Sequence, residues 1–357
     1  MKENEDYSKT IVTWYFEQNA DFGGNYPQVS GNSSKENFRD TYRRCLALFF
    51  TSAYAMNPDS KFILYLNAPW NPSSSTVAMR CSWIFQKLNI EIRIIEFSYA
   101  HLAKQDLWKN QFFVLDIIQH LALKSDSNEL VILLDSDVIW LKSHSSSNIW
   151  DVIKRDGHAL LEIEYAVDEI VNLSDRQKMT ELYEYLEQKA NCEPLKYYGG
   201  ELVAFSGYKL KKLSVVIKET SMKIESLENQ KLTFDGKALT EEAFFLSYCY
   251  KVLGIEFQNA QNNIKRIWTM FAKPRNSSRD DLQLHLWHLP AEKNYGIRRL
   301  YNKFLRNDLL LDDLSKLCAD PVKLGIMLGV PSNSGLKIAR DLSFAMKRRA
   351  DKLLKKL

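Results

Sequence analysis

Leu130-Val-Ile-Leu-Leu-Asp135-Ser-Asp137-Val-Ile-Trp140 reads as a buried strand that stops at a pair of carboxylates. Five apolar residues in a row, without alternation, are the pattern of a strand in a parallel sheet covered on both faces. An Asp is a poor residue with which to continue such a strand unless its charge is paired, so the strand is expected to end at 134. Toward the N-terminus, apolar runs at 10–17, 61–67 and 91–97 alternate with helical patterns at 37–56, 76–88 and 107–124, the signature of successive β-α-β units. The expected fold is α/β, a mostly parallel open sheet flanked by helices. Toward the C-terminus the pattern is less regular. It predicts a strand at 158–164, a polar helix at 175–190, an apolar run at 197–205, helices at 209–224 and 241–253, and an aromatic-rich stretch reaching 301.

Open α/β sheets bind ligands just beyond the carboxyl ends of their strands. That rule directs attention to the segment 19–26 after the first strand and to Asp135-Ser-Asp137 after the fourth. Side chains two apart on an extended chain point to the same side, so the two Asp can face one ligand together. Converging carboxylates repel one another and call for a cation, and hard oxygen ligands suit Mg²⁺ or Mn²⁺, which in turn bridge phosphate oxygens. Strand-end capping by the two Asp is the alternative.

Bulk composition narrows the function classes. The 357 residues carry 48 Lys and Arg against 44 Asp and Glu, for a net charge of +4. Residues 331–357 hold eight of the basic and two of the acidic groups, so this tail is +6 and the remainder is −2. The body is therefore not a basic nucleic-acid binder, and no nucleic-acid partner is expected. From about 307 the chain turns Leu- and Lys-rich and helical, which divides it into a body at 1–306 and a basic helical extension at 307–357. Leu342, Ala345, Met346, Ala350, Leu353 and Leu357 recur at near-helical spacing with Lys and Arg between them, a pattern that suits either an anionic membrane surface or packing on the body. Five cysteines without a C-x-x-C pair, an acidic opening at 1–6 and no apolar run of about 18 residues point to a cytoplasmic location, peripheral on the inner face of the plasma membrane.

The ordered series from 8 to 300 resembles the nucleotide-sugar glycosyltransferases of the GT-A fold, a Rossmann-like architecture. In that family an apolar strand ends in D-x-D, whose last Asp binds a divalent metal and whose first reaches the ribose or the metal of the sugar nucleotide. The resemblance assigns these roles to Asp137 and Asp135. It implies that Lys109, Asn110 and Asp116, on the preceding helix, approach the nucleotide and donor sugar. Tyr197-Tyr-Gly-Gly-Glu201 is similar to the segment that lines donor and acceptor in retaining members, which brings in Gly199, Gly200 and Glu201. Paired glycines let backbone approach a ligand closely, and Glu201 entering an apolar run needs a partner. Glu241 and Glu242 resemble the acidic pair that opens a helix beside the reaction centre, although the helix dipole alone also favours acids there.

His285 and His288 precede Lys293. They resemble the late His that completes the metal site and the Lys that neutralises the diphosphate in the retaining galactosyltransferase and glycogenin-like members. The glycine of the H-x-x-G-x-x-K motif is absent here, and His288 is the preferred ligand. Zinc would require a third Cys or His nearby at a suitable spacing, which the sequence lacks. Trp14, Phe16 and Tyr26 are candidates for stacking on a base.

The resemblance thus implies a metal-dependent glycosyltransferase that uses a nucleotide-sugar donor, with UDP-sugars favoured, and a glycan or lipid-linked glycan acceptor. Bacterial surface-polysaccharide synthesis and retention of configuration are the preferred setting and outcome. Three other readings compete, the first a nucleotidyltransferase that makes sugar nucleotides, which would need a basic Gly-rich loop after the first strand where Gly23-Gly24 has no adjacent Lys or Arg. A haloacid-dehalogenase-type phosphatase would use the same Asp-x-Asp and would call on late paired acids such as Asp280 and Asp281. A non-catalytic, membrane-docked binding protein would dispense with both Asp.

Overall fold

The structure is a computed structural model that describes residues 7–18, 35–103, 109–142, 148–190, 193–229, 239–255, 257, 259–270, 275–307 and 310–354. The segment 19–26, with Tyr26, lies outside the described residues. The first half runs β1 (Lys9–Tyr15), α1 (Glu36–Met56), β2 (Lys61–Leu66), α2 (Thr76–Lys87), β3 (Glu91–Ile94), α3 (Phe113–Lys124), β4 (Leu130–Leu134). Each strand lies where the apolar runs put it, and all three pairings among them are parallel. The second half adds β5 (Val138–Trp140), α4 (Ile149–Asp156), β6 (His158–Ala159), α5 (Arg176–Glu187), β7 (Leu202–Ser206), α6 (Gly207–Asn229) and α7 (Glu242–Val252). It closes with β8 (Ile264–Arg266), β9 (Leu286–His288), α8 (Gly296–Phe304), α9 (Leu311–Cys318), α10 (Pro321–Leu328) and α11 (Gly335–Leu354).

Six strands form one sheet in the order β3-β2-β1-β4-β7-β6, with the last two antiparallel to their neighbours. Alternation along the strands divides the interior in two. Ile11, Leu64, Ile132 and Ala204 face a core built with α1, α2 and the C-terminal helices, whereas Val12, Tyr65, Val131 and Phe205 face a core built with α3, α6 and α7. All five residues of β4 are buried, as expected for a strand covered on both sides. Local signals set the helix ends: Ser75 caps α2 by accepting from Ala78 N at 3.0 Å, and Gly157 ends α4 in the left-handed conformation.

A second sheet of order β5-β9-β8 has three residues per strand. Sequence patterning does not reveal it, because three residues are too few to display a period. It packs Trp140 and Trp287 fully into the first core. The region from 307 onward joins that same core: Leu314, Leu317, Cys318, Leu324 and Leu328 are buried with Trp287, and Lys142 N donates to Cys318 O at 3.1 Å. Gly325 lets α10 approach closely, since a Cβ there would meet Val330 O at 2.0 Å. No helix among the described residues is long and apolar enough to cross a membrane.

A chain that ends at 306 loses these four buried leucines, each contributing roughly 2–3 kcal/mol of burial, which together match the 5–15 kcal/mol of net stability usual for a domain. Thermal melting of the 1–306 fragment is expected to show no cooperative transition. A melt close to that of the full chain would show that 307–357 is an independent appendage.

Candidate metal centre

Three strand registers converge on one point. The β4–β7 ladder pairs Leu134 with Leu202, and its continuation sets Asp135 beside Glu201, joined by Asp135 N donating to Glu201 O at 3.3 Å. In the second sheet Val138 lies opposite His288, and Leu289 N donates to Asp137 O at 3.1 Å. The parallel β8–β9 pair places Arg266 next to His288. Residues distant in sequence thus meet at the carboxyl end of β4.

Asp137 is buried there with two cations on one carboxylate oxygen: His288 Nε2 lies 3.2 Å and Lys293 Nζ 3.1 Å from Oδ2. His288 Nε2 is also 3.8 Å from Asp135 Oδ2. On the other side of the imidazole, Nδ1 lies 3.5 Å from Glu201 Oε1. Glu201 is itself gripped by Arg266, whose Nε and Nη2 donate to its two oxygens at 2.9 and 2.5 Å. Such a carboxylate behind a histidine fixes the ring and presents the opposite nitrogen to a ligand. Lys293 also stands over the ring of the half-buried Tyr42, 5.2 Å from its centroid.

The charges respond to this crowding. Burial raises the Asp135 carboxyl to about 6, and the neighbouring Asp137 pushes the same way. Burial opposes ionisation of Asp137 too, but Lys293 and then His288 outweigh it and hold the group well below the usual carboxylate range. Burial works against a charged His288, yet Asp137 first and Glu201 with it raise the imidazole to about 9. In Glu201 burial is likewise overcome, chiefly by Arg266, and its carboxyl is held low.

Gly199 and Gly200 make room for carboxylates. A Cβ at Gly199 would lie 2.1 Å from Glu201 Oε2, and one at Gly200 would lie 2.3 Å from Glu242 Oε1. Glu241 and Glu242, at the start of α7, have different environments. Glu241 is tied down by Tyr197, whose hydroxyl donates at 2.6 Å, and by Asn172. Glu242 is buried with an Oε2 that has no hydrogen-bond partner among the described residues, and burial, with Glu241 and Asp135 adding to it, raises its carboxyl well above the ordinary value.

These groups line a cavity of about 340 Å³ whose walls include Trp14, Phe16, Tyr42, Asn110, Tyr165 and Trp268. Asp135, Asp137, Gly200, Glu201, Glu241, Glu242, His288 and Lys293 all border it. Asp116 does not; it caps the turn after β3 by accepting from Ser98 N at 3.1 Å. Lys109 starts the short turn that leads into α3, and Asn110 and Gln111, not Lys109, reach the wall. His285 sits three positions from His288 on an extended segment and so faces the other way, where its Nδ1 accepts from Ile149 N at 3.3 Å. Sequence reading missed Arg266, Tyr42 and Asn172. The sequence shows that a buried Glu201 needs a partner, but nothing in it points to Arg266.

Asp135, Asp137 and His288 each offer a ligand atom, all within 4.8 Å of one another. Among the described residues the buried Asp137 Oδ2 has its ion pairs with His288 and Lys293 but no well-directed hydrogen bond, and the donor set fits a divalent cation. Two carboxylates and one imidazole suit a cation that tolerates oxygen and nitrogen together, such as Mn²⁺. No family model matches the chain, and no curated protein matches it. The chemistry of the site therefore stands on its geometry.

A cation must displace the proton that His288 otherwise carries. Titration calorimetry is expected to show Mn²⁺ affinity rising about tenfold per pH unit from pH 6.5 toward 8.5, and more steeply below about 6 where Asp135 also protonates. In the metal-free protein the same raised group stabilises the fold below its usual value of 6.5, and this contribution is lost as pH rises through about 9. Glu201→Gln removes the charge behind the imidazole and is expected to weaken Mn²⁺ binding about 10–100-fold. A pH-independent affinity in wild type would show that His288 is not a ligand.

Proposed function

We propose that the chain is a metal-dependent glycosyltransferase that moves a sugar from a nucleoside-diphosphate donor, UDP-sugars foremost, to a hydroxyl of a glycan or lipid-linked glycan. The observation that carries this reading is the meeting of Asp135, Asp137 and His288 with Lys293 on the wall of one aromatic-sided cavity. A cation at the three ligands would neutralise charge on the departing diphosphate, the main electrostatic task of such a transfer. Lys293 adds a second positive charge from the protein, held against Asp137 and the Tyr42 ring. Tyr165, Trp268 and Trp14 supply flat apolar faces of the kind on which sugar rings and bases stack.

Glu242 is the side chain that would meet the acceptor hydroxyl. Its raised proton affinity suits it to accept a proton, and the residue borders the cavity. Glu241, already engaged by Tyr197 and Asn172, would hold α7 in register instead. The acids that the phosphatase reading calls on lie elsewhere: Asp281 accepts from Lys265 Nζ at 2.9 Å and Ser278 N at 2.8 Å, outside the cavity. As a further partner we propose an anionic membrane surface for the basic part of α11, on which Leu342 and Met346 are exposed.

Calorimetry with UDP, GDP, CDP and ADP, with and without Mn²⁺, tests the donor half of this reading. One nucleotide is expected to bind only with metal, and Asp137→Ala is expected to weaken that binding by at least about 100-fold, the upper end of what even outer-shell changes cost. Absence of nucleotide binding under every condition would refute it. For the tail, Glu substituted at Lys352, Lys355 and Lys356 is expected to lower sedimentation with phosphatidylglycerol vesicles without changing nucleotide binding. Equal sedimentation would exclude a membrane role.

A further inference from the structure

Behind Lys293, on the side away from the cavity, lies a buried charge network that the proposed reaction does not use. Glu292 is wholly buried at the end of the short turn Pro290–Glu292, one residue before Lys293. Its Oε1 accepts from Thr269 Oγ1 at 2.5 Å and faces Lys337 Nζ at 2.8 Å. Its Oε2 accepts from Gly296 N at 3.0 Å, at the start of α8. Lys337, in the first turn of α11, is also buried, and its Nζ reaches Asp341 Oδ2 at 2.8 Å and Thr269 O at 3.3 Å. Arg340 closes the outer side, 3.9 Å from Glu292 Oε2 and 3.7 Å from Asp341 Oδ1.

Burying a Lys, a Glu and an Asp together is expensive, and well-packed apolar residues of similar volume would serve stability at least as well. What an ion network supplies in addition is a fixed geometry. Here it fixes one short turn. Leu289 N is bonded to Asp137 O at one end of the turn, and Glu292 is clamped at the other, so Lys293, the next residue, leaves a turn held at both ends and reaches Asp137. Room for the clamp depends on Gly296, where a Cβ would lie 2.4 Å from Glu292 Oε2.

We propose that Lys337 is a positioning residue: through Glu292 it sets Lys293 against the diphosphate, which makes the start of α11 a working part of the donor site. This inference rests on the reading of Lys293 as a diphosphate contact. It accounts for a lysine buried in the first turn of a helix. It also separates two functions along α11, an inner turn that serves the site and a distal basic part.

The test uses the full chain, inorganic pyrophosphate with saturating Mg²⁺, and separate titrations of Mn²⁺ alone. Lys337→Met is expected to leave Mn²⁺ affinity within about twofold of wild type and to weaken pyrophosphate about tenfold, or about 1.4 kcal/mol. In a Lys293→Met background the same substitution is expected to cause no further loss, because a positioning residue acts only through the group that it positions. Should the unpaired Glu292 unfold that variant, Lys337→Met with Glu292→Gln removes both charges, and the same two titrations are read there. Undiminished pyrophosphate binding in either folded variant, or losses that add fully to that of Lys293→Met, would overturn the positioning role. If wild type itself binds Mn²⁺ but not pyrophosphate, the diphosphate reading fails and the role of Lys337 falls with it.

Discussion

Asp137 is a carboxylate placed where a carboxylate should not be stable, at the buried end of a strand covered on both faces. An unpaired charge at that depth costs several kcal/mol, so its surroundings must supply positive charge. They do so twice, through His288 and Lys293, and much of the second half of the fold follows from bringing those two residues there. The small sheet exists to lay His288 beside the residue after Asp137. The turn after it carries Lys293 back across Tyr42, and the C-terminal helices pack in one core with Trp287 of the strand that precedes this turn.

Around this pair the acids are graded by what holds them. Asp137 and Glu201 stay ionised because cations grip them, whereas Asp135 and Glu242 are pushed toward the neutral form by burial and by neighbouring acids. Adjacent groups with opposed proton affinities are what an enzyme needs to hold a cation at one point and to move a proton at another. The gradation comes from the strand registers. A shift of one residue in the β4–β7 ladder would turn Glu201 to the other face and leave His288 without its backing charge.

The α/β frame was legible in the sequence because β1, β2 and β4 are long apolar runs separated by helices with clear periods. The Asp pair stood out against the five apolar residues before it. Choosing His288 over His285 from sequence depended on resemblance, and strand alternation supplies the physical reason. Arg266 was not legible as part of the site, since its link to Glu201 passes through the three-residue pairing of β8 with β9. Asp116 entered as a site candidate through resemblance alone, and in the structure it caps a turn. The contact of α11 with Glu292, next to Lys293, was hidden for a similar reason. Lys337 is one lysine among many in a basic tail, and only packing distinguishes it.

The central claim is that Asp135, Asp137 and His288 hold one cation that meets a diphosphate. Pulsed electron paramagnetic resonance on the Mn²⁺-loaded protein tests it at the atoms concerned. A ¹⁴N coupling from a directly bound imidazole, lost in His288→Phe, together with a ³¹P coupling that appears on adding UDP, is the result predicted. A Mn²⁺ signal without nitrogen coupling, or without phosphorus coupling at saturating nucleotide, would contradict it.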